Sequence, residues 1–196
     1  MIKGNRKKQE LQSALKTLAI EKGYANVTMK DIGEYVGLSV GGLYHHYHSV
    51  NEIFNDLLHS ETENVWSAFQ NINTFDELMM YFDEYLKTEK KELLSEEISL
   101  NTLLYQYYFS FPEDKRQIMM KASHDETISH MVQILIPIIK KKSVCIEISE
   151  HIYMVLNGLV VLSFSNSISK KIIDAEFDML KNYMIEKYSN IGSKND

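Results

Sequence analysis

Residues 28–53 carry helix-start signals so close together that only short helices joined by tight turns can fit between them. Thr28 and Asp31 have the spacing of a capping box, in which each side chain binds a backbone N–H at the start of a helix. Ser39 is a second N-cap residue. Gly37 lies between these signals and favours the left-handed backbone of a sharp turn. The pattern therefore predicts a helix, a tight turn and a second helix.

The apolar residues of this stretch support the same order of elements. After the first cap they recur with helical spacing at Met29, Ile32, Tyr35 and Val36. Ser49 and Glu52 form a further capping box. The apolar residues that follow it indicate a long amphipathic helix and are Ile53, Phe54, Leu57 and Leu58. Two short helices around a tight turn, followed by a longer one, are typical of a helix-turn-helix, whose second helix enters the major groove of DNA.

The predicted second helix contains Gly41 and Gly42 in succession. Each glycine inside a helix costs about 1 kcal/mol relative to alanine. Two of them in so short a helix indicate that a partner approaches its backbone closely. A phosphate group or the edge of a base would suit this position.

The segment resembles the DNA-binding domain of the TetR family of bacterial transcriptional regulators. The matching residues of this chain are Thr28, Asp31, Ile32, Gly37, Leu38, Ser39, Gly41, Leu43, Tyr44, Tyr47, Ser49 and Glu52. The resemblance covers residues 6–58, and the rest of the chain is similar only in length and helical character. Gly42 stands where the family often has Thr or Ser, and Val50 stands where Lys is usual. Each difference removes an expected DNA contact.

The resemblance implies DNA contacts on and beside the second helix. The predicted contact residues are Thr28, Lys30, Ser39, Val40, Gly41, Gly42, Tyr44, His45, His46, Tyr47 and His48. Tyr44 is the strongest candidate because a phenol can meet both a phosphate oxygen and a thymine methyl group, although a core tyrosine is the alternative. Lys30 can contact a phosphate. Metal binding by the histidines is disfavoured, since adjacent histidines on a helix point apart and no cysteine lies nearby.

Charge is distributed unevenly along the chain. Residues 1–50 contain seven basic and four acidic side chains, a net charge of +3, whereas the remainder has a net charge of −9. An acidic protein with one basic end fits a protein that meets a polyanion only at that end. Arg6, Lys7 and Lys8 would form a basic arm that reaches DNA, with a solubilising terminus as the alternative interpretation.

Composition favours long helices, since the chain of 196 residues has only 2 Pro and 8 Gly. The predicted helices are 6–22, the two short ones, 50–71, one from Thr74, one from Ser95 to Pro112, 113–142 with a kink at Pro137, 147–166 and 175–189. The fold class is all-α, with a three-helix helix-turn-helix domain at residues 1–48 followed by a helical bundle at 49–196 that dimerises.

Targeting and redox signals are absent from the sequence. It has no apolar run of about 18 residues or more, the length that spans a bilayer, and no apolar signal region at its N-terminus. The single cysteine, Cys145, excludes an internal disulfide. We therefore expect a cytoplasmic protein without a membrane partner.

The middle of the chain is rich in aromatic residues and methionine, which can build either a bundle core or a ligand cavity. The candidate cavity residues are Trp66, Phe69, Tyr85, Asn101, Tyr105, Tyr108, Met120 and His124, with His130 as a further polar anchor. Residues 151–164 are apolar nearly all round, which fits a buried helix or half of a dimer interface. The resemblance implies a homodimer through the two C-terminal helices, and Gly158 would allow close approach.

These features predict a ligand-responsive transcriptional regulator, in the first instance a repressor. It would bind a pseudo-palindromic operator in double-stranded DNA as a homodimer and be released by an unknown small-molecule effector, without any cofactor or catalytic residue. One alternative is an activator or nucleoid-associated factor with the same module. The other is a helical-bundle metalloenzyme that uses Glu126 with His130, and Glu147 with His151, although the Glu-x-x-His motif of di-iron bundles is absent.

Overall fold

A computed structural model of the chain describes residues 2–95, 99–165 and 168–192. All regular structure in these residues is helical, which confirms the predicted all-α fold class. A short 3₁₀ helix, Tyr24–Asn26, follows the first α-helix. The α-helices are α1 (Ile2–Lys22), α2 (Met29–Tyr35), α3 (Val40–Tyr44), α4 (Val50–Ala68), α5 (Phe75–Leu93), α6 (Leu100–Phe109), α7 (Glu113–Ile139), α8 (Lys142–Ser163) and α9 (Lys170–Gly192).

The main differences from the predicted boundaries lie at helix ends. The first helix begins at Ile2 instead of residue 6, and α8 and α9 each begin five residues earlier than predicted. The predicted seventh helix was too long because Lys140 adopts a left-handed backbone with φ 58°, which ends α7 at Ile139. Pro137 lies inside α7. Residues 96–98, after the predicted cap at Ser95, and Asn166, the predicted end of the eighth helix, lie outside the described residues.

The chain forms two compact units. The first unit comprises Met1–Val65 and Leu100–Arg116, and the second unit comprises Trp66–Ser99 and Gln117–Asp196. The helix-turn-helix lies in the first unit, whereas α5, α8 and α9 lie in the second. The division into domains at residues 48 and 49 stays a prediction.

The core of the first unit is built around three aromatic rings. The ring of Tyr24 lies 5.0 Å from Phe54 and 5.4 Å from Tyr107, and Phe54 and Tyr107 are 4.9 Å apart. The backbone N–H of Tyr24 donates to the side-chain oxygen of Gln106 at 2.9 Å. The Tyr107 hydroxyl donates to Asn55 at 3.0 Å. Helix α6 is therefore part of the unit that carries the helix-turn-helix, although it lies far along the chain.

The second unit has a core of apolar side chains from α5, α7, α8 and α9. Helix α8 is long and apolar enough to cross a membrane by length and composition alone. Its buried residues are Cys145, Ile148, Ser149, Ile152, Leu156, Leu159 and Val160, and all of them except Ser149 and Val160 belong to this core. This is the burial expected of a central helix in a bundle.

Candidate nucleic-acid interface

The start of α2 is fixed by the predicted capping box, which the structure confirms. The backbone N–H of Asp31 donates to the Thr28 hydroxyl at 3.2 Å, and the Asp31 carboxylate accepts from the backbone N–H of Thr28 at 2.7 Å. The Lys22 ammonium lies 2.6 Å from the same carboxylate. Lys22 and then Thr28 hold the pKa of Asp31 well below its usual range. This contact fixes the end of α1 next to the start of α2.

The turn between α2 and α3 depends on two glycines. Gly37 has a left-handed backbone with φ 68°, as predicted. Gly33 is buried, its carbonyl accepts from the backbone N–H of Leu38 at 2.8 Å, and a Cβ there would lie 3.1 Å from the Leu38 carbonyl oxygen. The close approach at Gly33 was missed by the sequence analysis, although a glycine inside a predicted helix is a signal for it.

The start of α4 follows the predicted signal only in part. The backbone N–H of Glu52 donates to the Ser49 hydroxyl at 3.1 Å. The Glu52 carboxylate accepts from the backbone N–H of His48 at 2.5 Å, one residue before the expected donor. This bond fixes the backbone between α3 and α4, beside the predicted DNA contacts.

Helix α3 begins at Ser39, whose hydroxyl accepts from the backbone N–H of Gly42 at 3.1 Å. The two glycines of this helix have different surroundings. A Cβ on Gly42 would lie 3.3 Å from the Ser39 hydroxyl oxygen, whereas a Cβ on Gly41 would meet no heavy atom within 4 Å. Gly42 therefore permits a tight cap, and Gly41 leaves its backbone open to a partner.

Most of the predicted contact residues face solvent. The exposed ones are Thr28, Lys30, Ser39, Val40, Gly41, Tyr44, His45 and His48, and the partly exposed ones are Gly42 and His46. We name these ten residues the recognition surface. Tyr44 is 44% exposed and Val40 is 46% exposed, which leaves apolar area available to thymine methyl groups. The Lys30 ammonium lies 3.7 Å from Glu34 in a solvent-exposed pair, which a phosphate can easily replace.

Tyr47 is a correction to the predicted set. Its side chain is only 1% exposed, and its hydroxyl donates to the carboxylate of Asp56. The same carboxylate accepts from Gln12 at 3.2 Å and from Lys8 at 3.3 Å. Burial and the neighbouring Asp56 raise the pKa of Tyr47, and the Tyr47 hydroxyl is the first cause of the lowered pKa of Asp56. Tyr47 therefore packs in the core and is not part of the recognition surface.

This carboxylate and the three side chains that donate to it form a polar group that we name the Asp56 network: Lys8, Gln12, Tyr47 and Asp56. It connects α1 and α4 to the residues that follow α3. No local sequence pattern indicates this network, because its members are up to 48 positions apart.

The predicted basic arm is helical, because its three residues lie within α1. Arg6 and Lys7 lie 3.2 Å and 2.7 Å from the Glu10 carboxylate, and Lys8 belongs to the Asp56 network. The Arg6 side chain is 82% exposed. Arg6 is therefore the member of the predicted arm that is most accessible to a phosphate.

The predicted cavity residues are divided between the two units. Asn101, Tyr105 and Tyr108 lie on α6 in the first unit, and the other five lie in the second unit. Within the second unit, the rings of Phe69 and Tyr85 are 6.1 Å apart. The backbone N–H of Phe69 donates to the carbonyl of Trp66 at 3.1 Å. The structure thus brings the rings of Phe69 and Tyr85 together, whereas the ring of Trp66 lies 5.3 Å from that of His130 on α7.

The remaining two predicted cavity residues have other surroundings. The ring nitrogens of His124 lie 2.9 Å from Glu150 and 3.2 Å from Asp125, and Glu150 is the first cause of the raised pKa of His124. This ion pair connects α7 to α8. Met120 is partly buried on α7.

The part of the chain that the structure describes contains no group of three or more His, Cys, Asp or Glu side chains placed to hold a metal ion. The Glu147 carboxylate is bonded to Lys187 and, at 3.0 Å, to the Tyr183 hydroxyl. The ring of His151 lies 4.4 Å from the ring of Tyr183. The predicted pair of Glu147 and His151 is therefore engaged in contacts with α9.

Comparison with known proteins identifies the helix-turn-helix. Residues 11–57 match the family described as bacterial regulatory proteins, tetR family. No curated protein matches the chain significantly.

Solved structures match over nearly the whole chain. A TetR-family transcriptional regulator from Syntrophomonas wolfei has 15% sequence identity and a TM-score of 0.68, covering 94% of this chain and 96% of its own. A transcriptional regulator from Pseudomonas aeruginosa PAO1 has 13% identity and a TM-score of 0.70, and the match covers 94% of this chain and 91% of the regulator's chain. NalD, the secondary repressor of the MexAB-OprM multidrug efflux pump in Pseudomonas aeruginosa, has 17% identity and a TM-score of 0.62. The match covers 95% of this chain and 98% of the NalD chain. Residues 11–57 therefore match the tetR family of bacterial regulatory proteins, and the chain as a whole has the fold of TetR-family transcriptional regulators.

Proposed function

We propose that the protein is a ligand-responsive repressor that binds a pseudo-palindromic DNA operator as a homodimer and is released by a small molecule. The observation that carries this proposal is the recognition surface, in which a capped helix with an open glycine and an exposed tyrosine follows a TetR-family turn. Specificity would come from base contacts by this surface, and Arg6 and Lys30 would add contacts to phosphates. Such a role places the protein in the cytoplasm and requires no catalysis.

A homodimer through α8 and α9 is the second part of the proposal. Both helices carry large apolar side chains that remain exposed in the single chain, including Met154 at 62%, Leu162 at 53% and Met179 at 53%. A Cβ on Gly158 would meet no heavy atom within 4 Å, so a second helix can approach this position. Burial of these side chains against a second copy would be favourable.

Repression and release by an effector form the third part. The similar fold of NalD, which is a repressor, favours repression over activation. An effector would act by binding more tightly to a conformation that does not fit the operator, since only differential affinity can shift the population. An activator would bind the same DNA but increase transcription of the adjacent gene, so an in vitro transcription assay separates the two roles.

DNA binding is tested first by fluorescence anisotropy on the DNA upstream of the protein's own gene, with scrambled DNA of equal length as competitor. We expect tighter and salt-sensitive binding to the upstream fragment. Tyr44→Ala should weaken that binding by about tenfold. Tyr35→Ala is the matched control, because Tyr35 is 56% exposed and lies outside the recognition surface. An equal effect of the two substitutions, or a dimer without any sequence preference at low salt, contradicts the proposal.

The dimer is tested by sedimentation of two matched variants. Leu162→Glu should dissociate the homodimer, since it places a charge in the proposed interface. Met80→Glu places the same charge at a residue that is 59% exposed on α5 and should leave the dimer intact. A monomeric wild-type protein contradicts this part of the proposal.

A further inference from the structure

We propose that the effector is a small organic cation, bound in the second unit with Glu89 as its counter-ion and the rings of Trp66, Phe69 and Tyr85 as its apolar wall. This inference rests on the proposed effector response and names the chemistry of the effector. It is carried by three features of the described part of the second unit: aromatic rings in contact with one another, two buried nitrogens without partners, and an acid without a cationic neighbour.

Aromatic rings are in contact between the end of α4 and α5, and between α4 and α7. The ring of Phe69 lies 6.1 Å from Tyr85 and 6.4 Å from Tyr81, and Trp66 lies one helical turn before Phe69. The indole of Trp66 is 5.3 Å from the imidazole of His130 on α7. We name Trp66, Phe69, Tyr85, Glu89 and His130 the aromatic cluster. Cations are attracted to the faces of such rings.

Two nitrogens of the aromatic cluster lack hydrogen-bond partners. Among the described residues, Trp66 Nε1 and His130 Nδ1 are the buried side-chain nitrogen or oxygen atoms for which no partner is present. Buried polar groups are nearly always hydrogen-bonded, so each exception calls for an explanation. A ligand with a hydroxyl or carbonyl oxygen beside its charged group would accept a hydrogen bond from the indole N–H.

Glu89 provides the charge that selects the ligand. It is partly buried, and burial is the first cause that raises its pKa to about 7. The negative charge of Glu92 raises it further, whereas contact with the Tyr85 hydroxyl lowers it. None of these neighbours is a cation, and the adjacent Lys90 is bound to Asp174 on α9. A bound organic cation would supply the missing positive charge, while an anion would be repelled by Glu89 and Glu92.

The site is tested with two probes of the same shape that differ only in charge. Phenyltrimethylammonium is a cation, and tert-butylbenzene is its neutral counterpart. The chain contains one tryptophan, Trp66, so its intrinsic fluorescence reports on this site directly. We expect the full-length protein to bind the cation about tenfold more tightly than the neutral probe.

Three substitutions locate the charge preference. Glu89→Gln should remove it, and Glu89→Asp should keep part of it, which separates a loss of charge from a loss of folding. Glu84→Gln is the matched control because Glu84 is exposed on the same helix and is not among the groups that shift the pKa of Glu89, so it should leave the preference intact. Equal affinity for the two probes, no binding of the cation, or unchanged preference in Glu89→Gln would each overturn the inference.

The same titrations with fluorescent operator DNA separate this inference from the proposed function. Release of the operator by phenyltrimethylammonium in the wild-type protein, but not in Glu89→Gln, supports both. Cation binding that depends on Glu89 but leaves operator binding unchanged supports the site and contradicts its role as the effector site. Sequence-specific DNA binding without any cation preference supports the regulator and overturns the inference.

Discussion

Each of the two units contains a partly buried acid, and the two acids have opposite surroundings. In the first unit, the Asp56 carboxylate accepts hydrogen bonds from Tyr47, Gln12 and Lys8, which together lower its pKa. In the second unit, Glu89 is desolvated and lies near another acid, so its pKa rises. The first arrangement holds helices in a fixed position, and the second leaves a charge that a ligand can neutralise.

The comparison distinguishes a structural polar group from a binding one. A carboxylate with several donors stabilises the fold and has no need of a further partner. A desolvated carboxylate without a cation opposes folding, and natural proteins keep such groups mainly where function requires them. The two acids should therefore have opposite effects on stability.

The largest effect is expected for Glu89→Gln. A raised pKa in the folded state means that the free energy of unfolding falls as pH rises from 4.5, the ordinary value, to about 7 and stays lower above it. Glutamine cannot ionise, so the variant should be more stable than the wild type above pH 7, by about 2–3 kcal/mol. Urea unfolding at pH 8 and at pH 4 measures this. A variant that is less stable than the wild type at pH 8 contradicts the assigned environment.

Asp56→Asn should have the opposite sign. Asparagine keeps the shape but loses the charged acceptor for three donors, so the free energy of unfolding at neutral pH should fall by about 1–2 kcal/mol. The pKa of Asp56 is lowered in the folded state. The contribution of Asp56 to the free energy of unfolding is therefore present above the ordinary pKa of 3.8 and disappears as pH falls through the lower pKa of the folded state. The same unfolding experiment measures this, with Glu63→Gln, an exposed acid on α4, as control. Equal stability of Asp56→Asn and the wild type would show that the network is not stabilising.

The glycines of α3 provide a smaller test within the first unit. Gly41→Ala should raise the free energy of unfolding by up to about 1 kcal/mol, since alanine favours helix and its methyl group meets no atom there. It should also weaken operator binding, because the methyl group occupies the open backbone. Gly42→Ala should gain less stability, since the Ser39 hydroxyl must move. Thermal unfolding and anisotropy measure the two effects, and wild-type DNA affinity in Gly41→Ala contradicts a close approach at this glycine.

The smallest effect is expected at His124 in the second unit. Its pKa is raised, first by Glu150 and then by Asp125. The contribution of His124 to the free energy of unfolding is therefore complete below the ordinary pKa of 6.5 and is lost as pH rises through the pKa of the folded state. His124→Gln should lower the free energy of unfolding at pH 5.5 by less than about 1 kcal/mol, because the side chain is about one-third exposed. The difference should disappear at pH 8.5. A difference that is independent of pH would show that packing, and not charge, is lost.

The sequence was sufficient where the contacts are local. The capping box at Thr28, the cap at Ser39 and the turn at Gly37 all involve residues within a few positions of one another, so the spacing alone predicts them. The residues of the recognition surface lie at or shortly after the caps Thr28 and Ser39, and they are exposed or partly exposed as predicted.

Long-range contacts could not be predicted in the same way. Tyr47 was assigned to the DNA surface because only tertiary structure shows that Asp56, Gln12 and Lys8 surround it. Glu89 resembles any other acid on an amphipathic helix until its neighbours are known. The predicted cavity residues are of similar chemical type but lie in different units, because composition does not show which helices pack together.

The position of α6 in the first unit affects how the protein can fold during synthesis. The aromatic core around Tyr24 and Phe54 includes Tyr107, and the backbone of Tyr24 bonds to Gln106. A ribosome must therefore translate as far as Phe109, the end of α6, before the first unit can close its core. Until then the nascent helix-turn-helix would expose aromatic surface, which makes this interval the natural point for a chaperone to bind.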